Sequence, residues 1–342
     1  MIEIIDITDS ERWDAVVTSF AQYDVYYLSG YVKGFRLHGD GEPELMYYDS
    51  ESLRAIYVYM KRIVDDCWFD AITPYGYGGV LFEGDASHEN IQRFYDEYVE
   101  SMRNRHIVSN FVRYHPQLRN ADNMRSVASV IDLGYTIEMA LDSEEVILQN
   151  MIHQNRTSIR KAAKRGVEIR FGQGAELFDE FIEIYNSTMS RDEAKEYYYF
   201  EREFYDSLAQ ELKDNYLIFY AVYEGVVISV AIMLFANGRM HYHLAGSRVE
   251  YRNYAAGNLL LYEAALWGVE HGYKTLHLGG GVGSGEDNLF RFKRSFNKNY
   301  ECRFSIGKEI FLQEIYSKLV QKRVDTDPEF DIESSFFPLY RS

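Results

Sequence analysis

The spacing of hydrophobic side chains changes along the chain, and each change predicts a new element of secondary structure. In the first half, three segments are rich in apolar, β-branched and aromatic residues. This pattern predicts strands over residues 2–7, 44–49 and 54–63, the last two paired with each other. Residues 87–105 instead space their apolar side chains three and four positions apart, which predicts an amphipathic helix. A further strand is predicted over residues 106–116, where a proline ends it.

Small polar residues mark where the predicted helices of this half begin. Asp9 or Ser10 offers a side-chain oxygen to the first turn of a helix that is predicted to run to about Tyr23. Ser87 stands in the same position before the longer helix. The strand that precedes this helix is predicted to end at Thr73, because a proline follows it.

The second half repeats the same kinds of pattern. Its predicted elements are, in order, a helix over residues 176–191, antiparallel strands over 216–247, a helix over 255–271 and a strand over 273–281. Glu224–Gly225 and Asn237–Gly238 are typical of tight hairpin turns, so the strand region divides into two or three strands. Gly272 is expected to end the second helix.

Each half therefore has the order helix, antiparallel strands, helix, strand. This order predicts an α+β fold of mixed, mostly antiparallel sheets flanked by helices. A chain of 342 residues is long enough for two domains. We place the first domain at residues 1–145 and the second at residues 146–309, with the junction in the region 140–155.

Composition and charge narrow the class of protein. The formal net charge is −17, which argues against broad binding to nucleic acid or to anionic membranes but leaves a local basic site open. The 30 tyrosines and 21 phenylalanines either fill the cores or line clefts for a sizeable ligand. Cys67 and Cys302 are too far apart for a disulfide scaffold or a zinc site, and no metal site is predicted.

The N-terminal segment and the longest apolar runs bear on location. The first residues are acidic and lack the basic and apolar regions of a secretory signal peptide. No apolar run approaches the length of a membrane span. We therefore expect a cytoplasmic protein that binds no DNA and does not span a membrane, with peripheral membrane contact left open.

The least ordinary stretch is a glycine-rich loop, which has five glycines from Gly279 to Gly285. A phosphate loop of the Walker type is excluded, because two acids follow Gly285 where that motif needs a lysine and a hydroxyl residue. The dinucleotide pattern fails because Ser284 occupies its last glycine position, and the hydrolase elbow fails because Val282 replaces its first glycine. What remains is a loop whose backbone approaches a neighbour closely before Asp287 caps a helix.

The helix after this loop places a lysine among apolar side chains. At 100° per residue, Leu289, Phe292 and Phe296 share one face, and Lys293 lies within the same arc. An ammonium group there is costly unless it extends to water or meets a partner. Two interpretations stay open: a lysine that reaches along the apolar surface to water, or one directed into a cleft to stabilise a developing negative charge.

The segment LHLGGGVGSGEDNLFRFKRSF, residues 276–296, resembles the signature of the Fem-type transferases and their acyltransferase relatives. These proteins consist of two tandem GNAT-like (GCN5-related N-acetyltransferase) domains. The chain also resembles other parts of such proteins, in residues 24–35, 73–81, 155–170 and 181–200. The resemblance therefore extends over nearly the whole chain.

The resemblance implies a fold, an activity and a catalytic residue. Fem-type enzymes move an aminoacyl group from aminoacyl-tRNA to an amine on a peptidoglycan precursor, and their relatives use acyl-CoA. The family's active-site lysine corresponds to Lys293, and the C-terminal residues 310–342 are expected to pack on the first domain.

Two features bear on the acyl donor. GNAT domains hold the CoA pyrophosphate at a helix start with Arg/Gln-x-x-Gly-x-Gly/Ala, and Arg252, Ala255 and Gly257 have this spacing, followed by Asn258. The competing site is a basic helix with cations three and four positions apart, formed by Arg156, Arg160, Lys161, Lys164 and Arg165. Its anion is a tRNA backbone, CoA phosphates, a diphosphate sugar carrier or the acidic remainder of the chain. The overall acidity favours acyl-CoA over tRNA.

Candidates for contact with the acceptor are spread along the chain: Lys33, Tyr75, Tyr77, Gly78, Arg191, Tyr242, His243, Gly279 and Gly280. The two tyrosines of the TPYGYGG turn either stack on a sugar or peptide or simply pack against the protein. Lys33 and Arg191 are expected to meet a phosphate or carboxylate. His241 and His243 alternate on a predicted strand and are expected to share a face, and His243 is expected to line the cleft with Tyr242.

The sequence thus predicts an N-acyltransferase that moves an acyl group from acyl-CoA to an amine of a cell-envelope precursor, small or lipid-linked. No tightly bound cofactor is expected. The first alternative is a Fem-type transferase that uses aminoacyl-tRNA to build peptidoglycan cross-bridges. The second alternative is a non-catalytic binding protein with the same two GNAT-like domains.

Overall fold

The computed structural model of the protein describes residues 1–65, 67–299 and 301–342. The strands are β1 (Ile2–Asp6), β2 (Glu42–Asp49), β3 (Leu53–Asp65), β4 (Trp68–Ile72), β5 (Leu81–Gly84), β6 (Ile107–Arg113), β7 (Val130–Ala140), β8 (Glu168–Gly172), β9 (Tyr216–Tyr223), β10 (Val226–Ala236), β11 (Arg239–Ser247), β12 (Thr275–Gly279) and β13 (Glu301–Ile310). The helices are α1 (Ser10–Thr18), α2 (Ser29–Leu37), α3 (His88–Asn104), α4 (Ala121–Met124), α5 (Glu144–Asn150), α6 (His153–Lys164), α7 (Ala175–Arg191), α8 (Arg202–Glu211), α9 (Ala256–Glu270), α10 (Asn288–Arg294) and α11 (Gln313–Thr326).

The chain forms two compact units. The first contains Met1–Leu133 together with Phe304–Ser342, and the second contains Gly134–Arg303. The chain passes from one unit to the other within β7 and returns within β13. The structural boundary therefore comes earlier than the predicted end of the first domain at residue 145, because the strand that precedes α5 already belongs to the second unit.

In the first unit, the sheet has the order β1-β2-β3-β4-β6-β13, and β5 pairs with β3. All neighbours are antiparallel except β4 and β6. Tyrosine and phenylalanine side chains from the sheet and from α3 fill its core, including Tyr57, Phe94 and Tyr98. The many aromatic residues of this half are thus in large part core residues.

The last residues of the chain fasten onto a buried acid in this unit. Asp70 of β4 is fully buried, and its carboxylate accepts hydrogen bonds from Arg62 Nε at 2.7 Å and from Arg341 Nε. The Tyr340 hydroxyl lies 3.3 Å from the same carboxylate and 2.7 Å from Ser109 Oγ. Two guanidinium groups thus neutralise an acid that burial alone would destabilise.

In the second unit, the sheet has the order β7-β12-β11-β10-β9-β8 and is antiparallel except between β11 and β12. The helix α9 crosses its core and buries consecutive apolar residues over 259–261, so this helix is apolar on several sides rather than amphipathic. The hairpin turns lie where they were predicted. Glu224, Gly225, Asn237 and Gly238 all have positive φ, as two-residue hairpins with a right-handed twist require.

The predicted helix bounds are right at most starts and wrong at one end. Asp9 caps α1 by accepting the Arg12 N–H at 3.3 Å, as expected. The helix ends at Thr18 instead of Tyr23, because the chain turns to bury Phe20. At α3 the N-cap is Ser87, but its hydroxyl makes no capping hydrogen bond.

Among the described residues, no helix is both long and apolar enough to span a membrane.

Candidate active site

The glycine-rich loop folds back on itself. It leaves β12 at Gly279, whose φ is +79°, and forms a short turn over Val282–Ser284. A Cβ atom on Gly281 would lie 2.2 Å from the Gly285 carbonyl oxygen and 2.4 Å from Asp287 Oδ1. Glycine is therefore required at 281 by the loop itself. One close approach of backbone is therefore made within the loop itself.

Asp287 holds both ends of this loop together. Its carboxylate accepts the Phe290 N–H at 2.8 Å, which caps α10 as predicted, and the Val282 N–H at 3.1 Å. Burial acts to raise the pKa of Asp287, but these two N–H groups and the charge of Lys293 keep the pKa below its ordinary value. The Asp287 carboxylate thus joins the loop to the first turn of α10.

Lys293 is buried at the base of the loop. Its side chain is 9% exposed, and Nζ donates a hydrogen bond to the Gly280 carbonyl oxygen at 2.7 Å. Burial lowers the pKa of Lys293 to about 8, although the charge of Asp287 acts in the opposite direction. The interpretation that this lysine extends to water is therefore wrong, because its partner is a backbone carbonyl inside the protein.

The apolar face around this lysine differs from the predicted one at its first residue. Phe290 and Phe296 are buried, and Phe292 packs against the same core. Leu289, which was predicted on this face, is 40% exposed. Leu289 lies in the first turn of a seven-residue helix, next to an exposed loop. So short a helix has no further turn that would cover this side chain.

A neighbouring strand presses against the loop at two glycines. A Cβ atom on Gly134 of β7 would lie 2.3 Å from the Ser284 carbonyl oxygen, and one on Gly280 would lie 3.1 Å from the Tyr135 carbonyl oxygen. Backbone thus meets backbone without side chains between. An isolated glycine such as Gly134 within a strand indicates a close approach of backbone, but it does not indicate which segment approaches.

The predicted CoA-binding turn lies at the start of α9. Ala255 is the N-cap residue and adopts the left-handed conformation, with φ +53° and ψ +37°, a region that alanine enters at a cost and glycine enters freely. Arg252 is exposed. A Cβ atom on Gly257 would have its nearest neighbour at 3.8 Å, so packing inside the chain does not require glycine there. Asn258 is already engaged, because its side chain donates to Asn155 Oδ1 at 2.8 Å.

The cations of the basic helix α6 fall into two groups, those bonded inside the protein and those exposed to solvent. Arg156 donates to the carbonyl oxygens of Leu148 and Met151, at 2.7 and 2.8 Å, and so fixes the bend between α5 and α6. Arg165 donates to the Asn253 carbonyl oxygen and lies over the ring of Tyr254. The remaining three cations, Arg160, Lys161 and Lys164, are exposed.

Three predicted acceptor residues of the first unit, Tyr75, Tyr77 and Gly78, lie in one aromatic turn. Gly76 has φ +90°, and a Cβ atom there would lie 2.6 Å from the Tyr26 ring. The ring of Tyr75 is 5.8 Å from Phe35 of α2, and the ring of Tyr77 is 5.9 Å from Tyr26. This turn is a packed one whose tyrosines are half-buried.

Two further candidates of the first unit have fixed surroundings. Lys33 lies on α2 and is half-buried. Gly78 is buried and donates its N–H to the Arg113 carbonyl oxygen at 2.7 Å. A role of either residue in acceptor binding stays a prediction.

The remaining candidates of the second unit lie on α7 and β11. Arg191 donates to the Ser247 carbonyl oxygen at 3.2 Å and to Asp192 at 3.1 Å, so it already has an acid beside it. Burial lowers the pKa of His243 to about 3, with the charge of His241 acting in the same direction. Strict alternation is interrupted because β11 shifts register against β10 between Tyr242 and Leu244, at His243.

The class of protein follows from this fold and a sequence match. Residues 149–294 match the family model described as an acetyltransferase (GNAT) domain. This stretch contains α9 with its left-handed N-cap, the glycine-rich loop and Lys293. The match assigns this part of the chain to the GNAT class of acetyltransferase domains.

Known proteins are similar over most of their length. The UDP-N-acetylmuramoylpentapeptide-lysine N(6)-alanyltransferase of Weissella viridescens is 24% identical over 312 residues, which cover 84% of this chain and 90% of that protein. The crystal structure of FemX superposes with a TM-score of 0.70 at 17% identity and covers 92% of this chain and 99% of that one. A tandem GNAT protein from the clavulanic acid biosynthesis pathway superposes with a TM-score of 0.52 at 11% identity and covers 91% and 99%.

These similarities confirm three predictions. The resemblance to Fem-type and GNAT-like transferases is confirmed, as are the fold of tandem GNAT-like domains and the acyltransferase class. The predicted roles of individual residues stay predictions.

Proposed function

We propose that this protein is an aminoacyltransferase that moves an aminoacyl group from aminoacyl-tRNA to a primary amine of a peptidoglycan precursor. The observation that carries the proposal is the similarity to a lysine N(6)-alanyltransferase across most of both chains. The acceptor amine is then a lysine side chain of a muramoyl peptide. The donor in this proposal is the one first considered as the alternative to acyl-CoA.

The reaction needs an electrophilic carbonyl, an attacking amine and a charge to stabilise the intermediate. The unprotonated acceptor amine attacks the ester carbonyl carbon, so a C–N bond forms and a negative charge develops on the carbonyl oxygen. The intermediate collapses with cleavage of the C–O bond to the ribose, and the ribose oxygen takes up a proton as the amine loses one. An ammonium group near the carbonyl lowers the barrier to both steps.

Lys293 is the group that this proposal assigns to that task. An ammonium has three N–H donors, and Lys293 gives one of them to the Gly280 carbonyl, which leaves two for a substrate oxygen. A pKa of about 8 leaves the amine mostly protonated at neutral pH while making it a better proton donor than an exposed lysine. Gly280 then positions the lysine, and the lysine stabilises the reacting ester.

The test uses purified protein, alanyl-tRNA and a muramoyl pentapeptide that contains lysine, with mass spectrometry of the peptide product. We expect one alanyl group to be added at the lysine side chain. A pentapeptide with an acetylated lysine side chain is the control and should stay unmodified. Lys293→Arg should retain part of the transfer rate, whereas Lys293→Met should lower it by roughly two orders of magnitude or more.

A second candidate is transfer from acyl-CoA, and one observation favours it. Ala255 has the left-handed conformation that suits a glycine, at the helix start where GNAT domains bind a pyrophosphate. Thiol release from acetyl-CoA in the presence of the same pentapeptide, with no transfer from charged tRNA, would replace the first proposal by the second. Inactivity with both donors, together with binding of the pentapeptide, would favour the non-catalytic alternative.

A further inference from the structure

The helix α6 carries three exposed cations that have no partner within the described part of the chain. Arg160, Lys161 and Lys164 make neither an ion pair nor a side-chain hydrogen bond there. Two other arginines of the same unit are paired, Arg202 with Asp206 and Arg248 with Glu180. We call the surface formed by Arg160, Lys161 and Lys164 the α6 basic face.

The orientation of this face is fixed by the opposite side of the helix. Asn155, Ile159 and Ala162 of α6 are buried, and Asn155 accepts a hydrogen bond from Asn258 of α9. At the end of the helix, Arg165 is held by the Asn253 carbonyl and by the ring of Tyr254. The helix cannot rotate to bring its cations inward without breaking these contacts, so the basic face points to solvent.

The charge pattern of the face has a cost that a partner would remove. Arg160 and Lys164 are four residues apart and Lys161 and Lys164 are three apart, so neighbouring cations lie about 5–6 Å apart at their Cβ atoms and repel one another. The whole chain has a net charge of −17 and therefore has ample acids to neutralise them. What distinguishes these three cations from single exposed lysines such as Lys213 is that they lie together on one helix face, which suits a partner with several negative charges in a row.

We propose that the α6 basic face binds the phosphate backbone of the tRNA donor. This inference rests on the proposed function, which supplies a polyanionic donor whose phosphates are spaced along a strand. A row of separate cations on an open helix surface suits such a strand. Coenzyme A has the same phosphate chemistry, but its charges are limited to one diphosphate and one ribose phosphate, and the diphosphate suits a helix start such as the turn at Ala255.

The test compares two double variants with the same change of charge. Lys161→Glu with Lys164→Glu reverses two charges of the face, and Lys213→Glu with Lys318→Glu reverses two exposed lysines that lie elsewhere. Binding is measured by fluorescence anisotropy with an RNA hairpin that reproduces a tRNA acceptor arm and carries no aminoacyl group. We expect the first variant to raise Kd roughly tenfold or more at moderate salt and to reduce the slope of log K against log salt by about 2. The second variant should bind as the native protein does.

Kinetics separate this inference from the proposed function. In the alanyl-transfer assay, the double variant Lys161→Glu with Lys164→Glu should have a higher KM for alanyl-tRNA and an unchanged kcat. Its kinetics with an alanylated dinucleotide as donor should also stay unchanged. Because the binding measurement needs no transfer, the face can be tested even if no aminoacyl donor reacts. Lys161→Gln with Lys164→Gln serves as a milder variant should the glutamates impair folding, and circular dichroism checks both.

Two outcomes would overturn the inference. Equal RNA affinity in the two double variants would mean that the face does not contact RNA. Weaker binding of CoA, with RNA binding intact, would assign the face to a CoA phosphate instead.

Discussion

Lys293 holds a positive charge away from water, and this placement has an energetic cost. A pKa of about 8 in place of the ordinary 10.5 corresponds to roughly 3 kcal/mol against the folded state at neutral pH. A folded protein rarely keeps such a cost in a side chain that only fills space. The burial of this ammonium is therefore the residue-scale feature that most favours a chemical role.

The cost can be measured through its dependence on pH. Because the folded pKa lies below the unfolded one, the penalty is fully present below about pH 8 and fades as pH rises toward 10.5. We expect Lys293→Met to raise the free energy of unfolding at pH 7 by up to about 3 kcal/mol, less about 1 kcal/mol for the Gly280 carbonyl that loses its donor. The gain should shrink at pH 9.5.

Urea unfolding of both proteins at the two pH values checks this expectation. Lys213→Met, a change at an exposed lysine, is the control and should show no such trend. A difference between Lys293→Met and native protein that stays the same from pH 7 to pH 9.5 would contradict the burial of a charged amine.

Among single residues, the lysine could be predicted and its partner could not. The helical period places Lys293 on the same face as Phe292 and Phe296 in any helix with this spacing. The Gly280 carbonyl accepts from it only because the loop turns back, and that turn depends on the position of Asp287. The hydrogen-bond partner of Lys293 thus depends on the loop conformation, which the spacing of residues along a helix does not predict.

At the scale of elements, the glycine-rich loop and α10 act as one structure. Asp287 caps the helix and holds Val282, so the loop and the first turn of the helix share a carboxylate. The lysine that follows one turn later returns to the loop through Gly280. A change anywhere in this closed path is expected to move the lysine.

Gly281→Ala tests that coupling. The added Cβ atom would meet the Gly285 carbonyl oxygen at 2.2 Å, so the backbone must shift and the Asp287 cap must loosen. We expect a loss of about 2–3 kcal/mol in the free energy of unfolding and a fall in the rate of transfer by at least tenfold. Thermal unfolding and the alanyl-transfer assay provide the two measurements.

Gly285→Ala is the matched control in the same loop. Its φ is −84°, and an added Cβ atom would have its nearest neighbour at 3.5 Å, which is an ordinary contact. This variant should keep both stability and activity. If Gly281→Ala also kept both, the close approach would have no consequence for the site.

The elements themselves were predicted well where a local signal sets them. The turns at Glu224–Gly225 and Asn237–Gly238 follow from residue types that accept positive φ. The end of α1 was missed because burial of Phe20, a tertiary event, turns the chain before Tyr23. Likewise the bulge at His243 depends on pairing with β10 and has no signal in the strand itself.

At the scale of the whole molecule, the first unit is completed by the last residues of the chain. Arg341 and Arg62 share the buried carboxylate of Asp70, and the tail is held there together with Tyr340. The sequence indicated the return of residues 310–342 only through a family resemblance. Neither the acid nor the arginine belongs to a recognisable motif, since they are 271 positions apart.

Arg341→Ala should therefore destabilise the protein. It removes one of two cations from a fully buried carboxylate, and we expect a loss of about 2–3 kcal/mol in the free energy of unfolding. Lys322→Ala, which breaks an exposed ion pair with Asp65, should change it by no more than about 0.5 kcal/mol.

A double-variant cycle shows whether the pair itself is responsible. In an Asp70→Asn background, Arg341→Ala should cost clearly less than in the native background, because the charge it neutralises is gone. Denaturant unfolding of the four proteins gives the coupling energy. A coupling near zero would mean that Arg341 acts through contacts other than Asp70.

The passage of the chain through β7 and back through β13 sets an order of assembly during synthesis. The second unit is one continuous segment, whereas the first unit needs Phe304–Ser342 before β13 can pair with β6. A ribosome that has released residues 1–133 has thus delivered a sheet with one edge uncovered. We expect the part of the chain that is made first to finish folding last, and nascent chains stalled before β13 to depend on chaperones that shield an open strand edge.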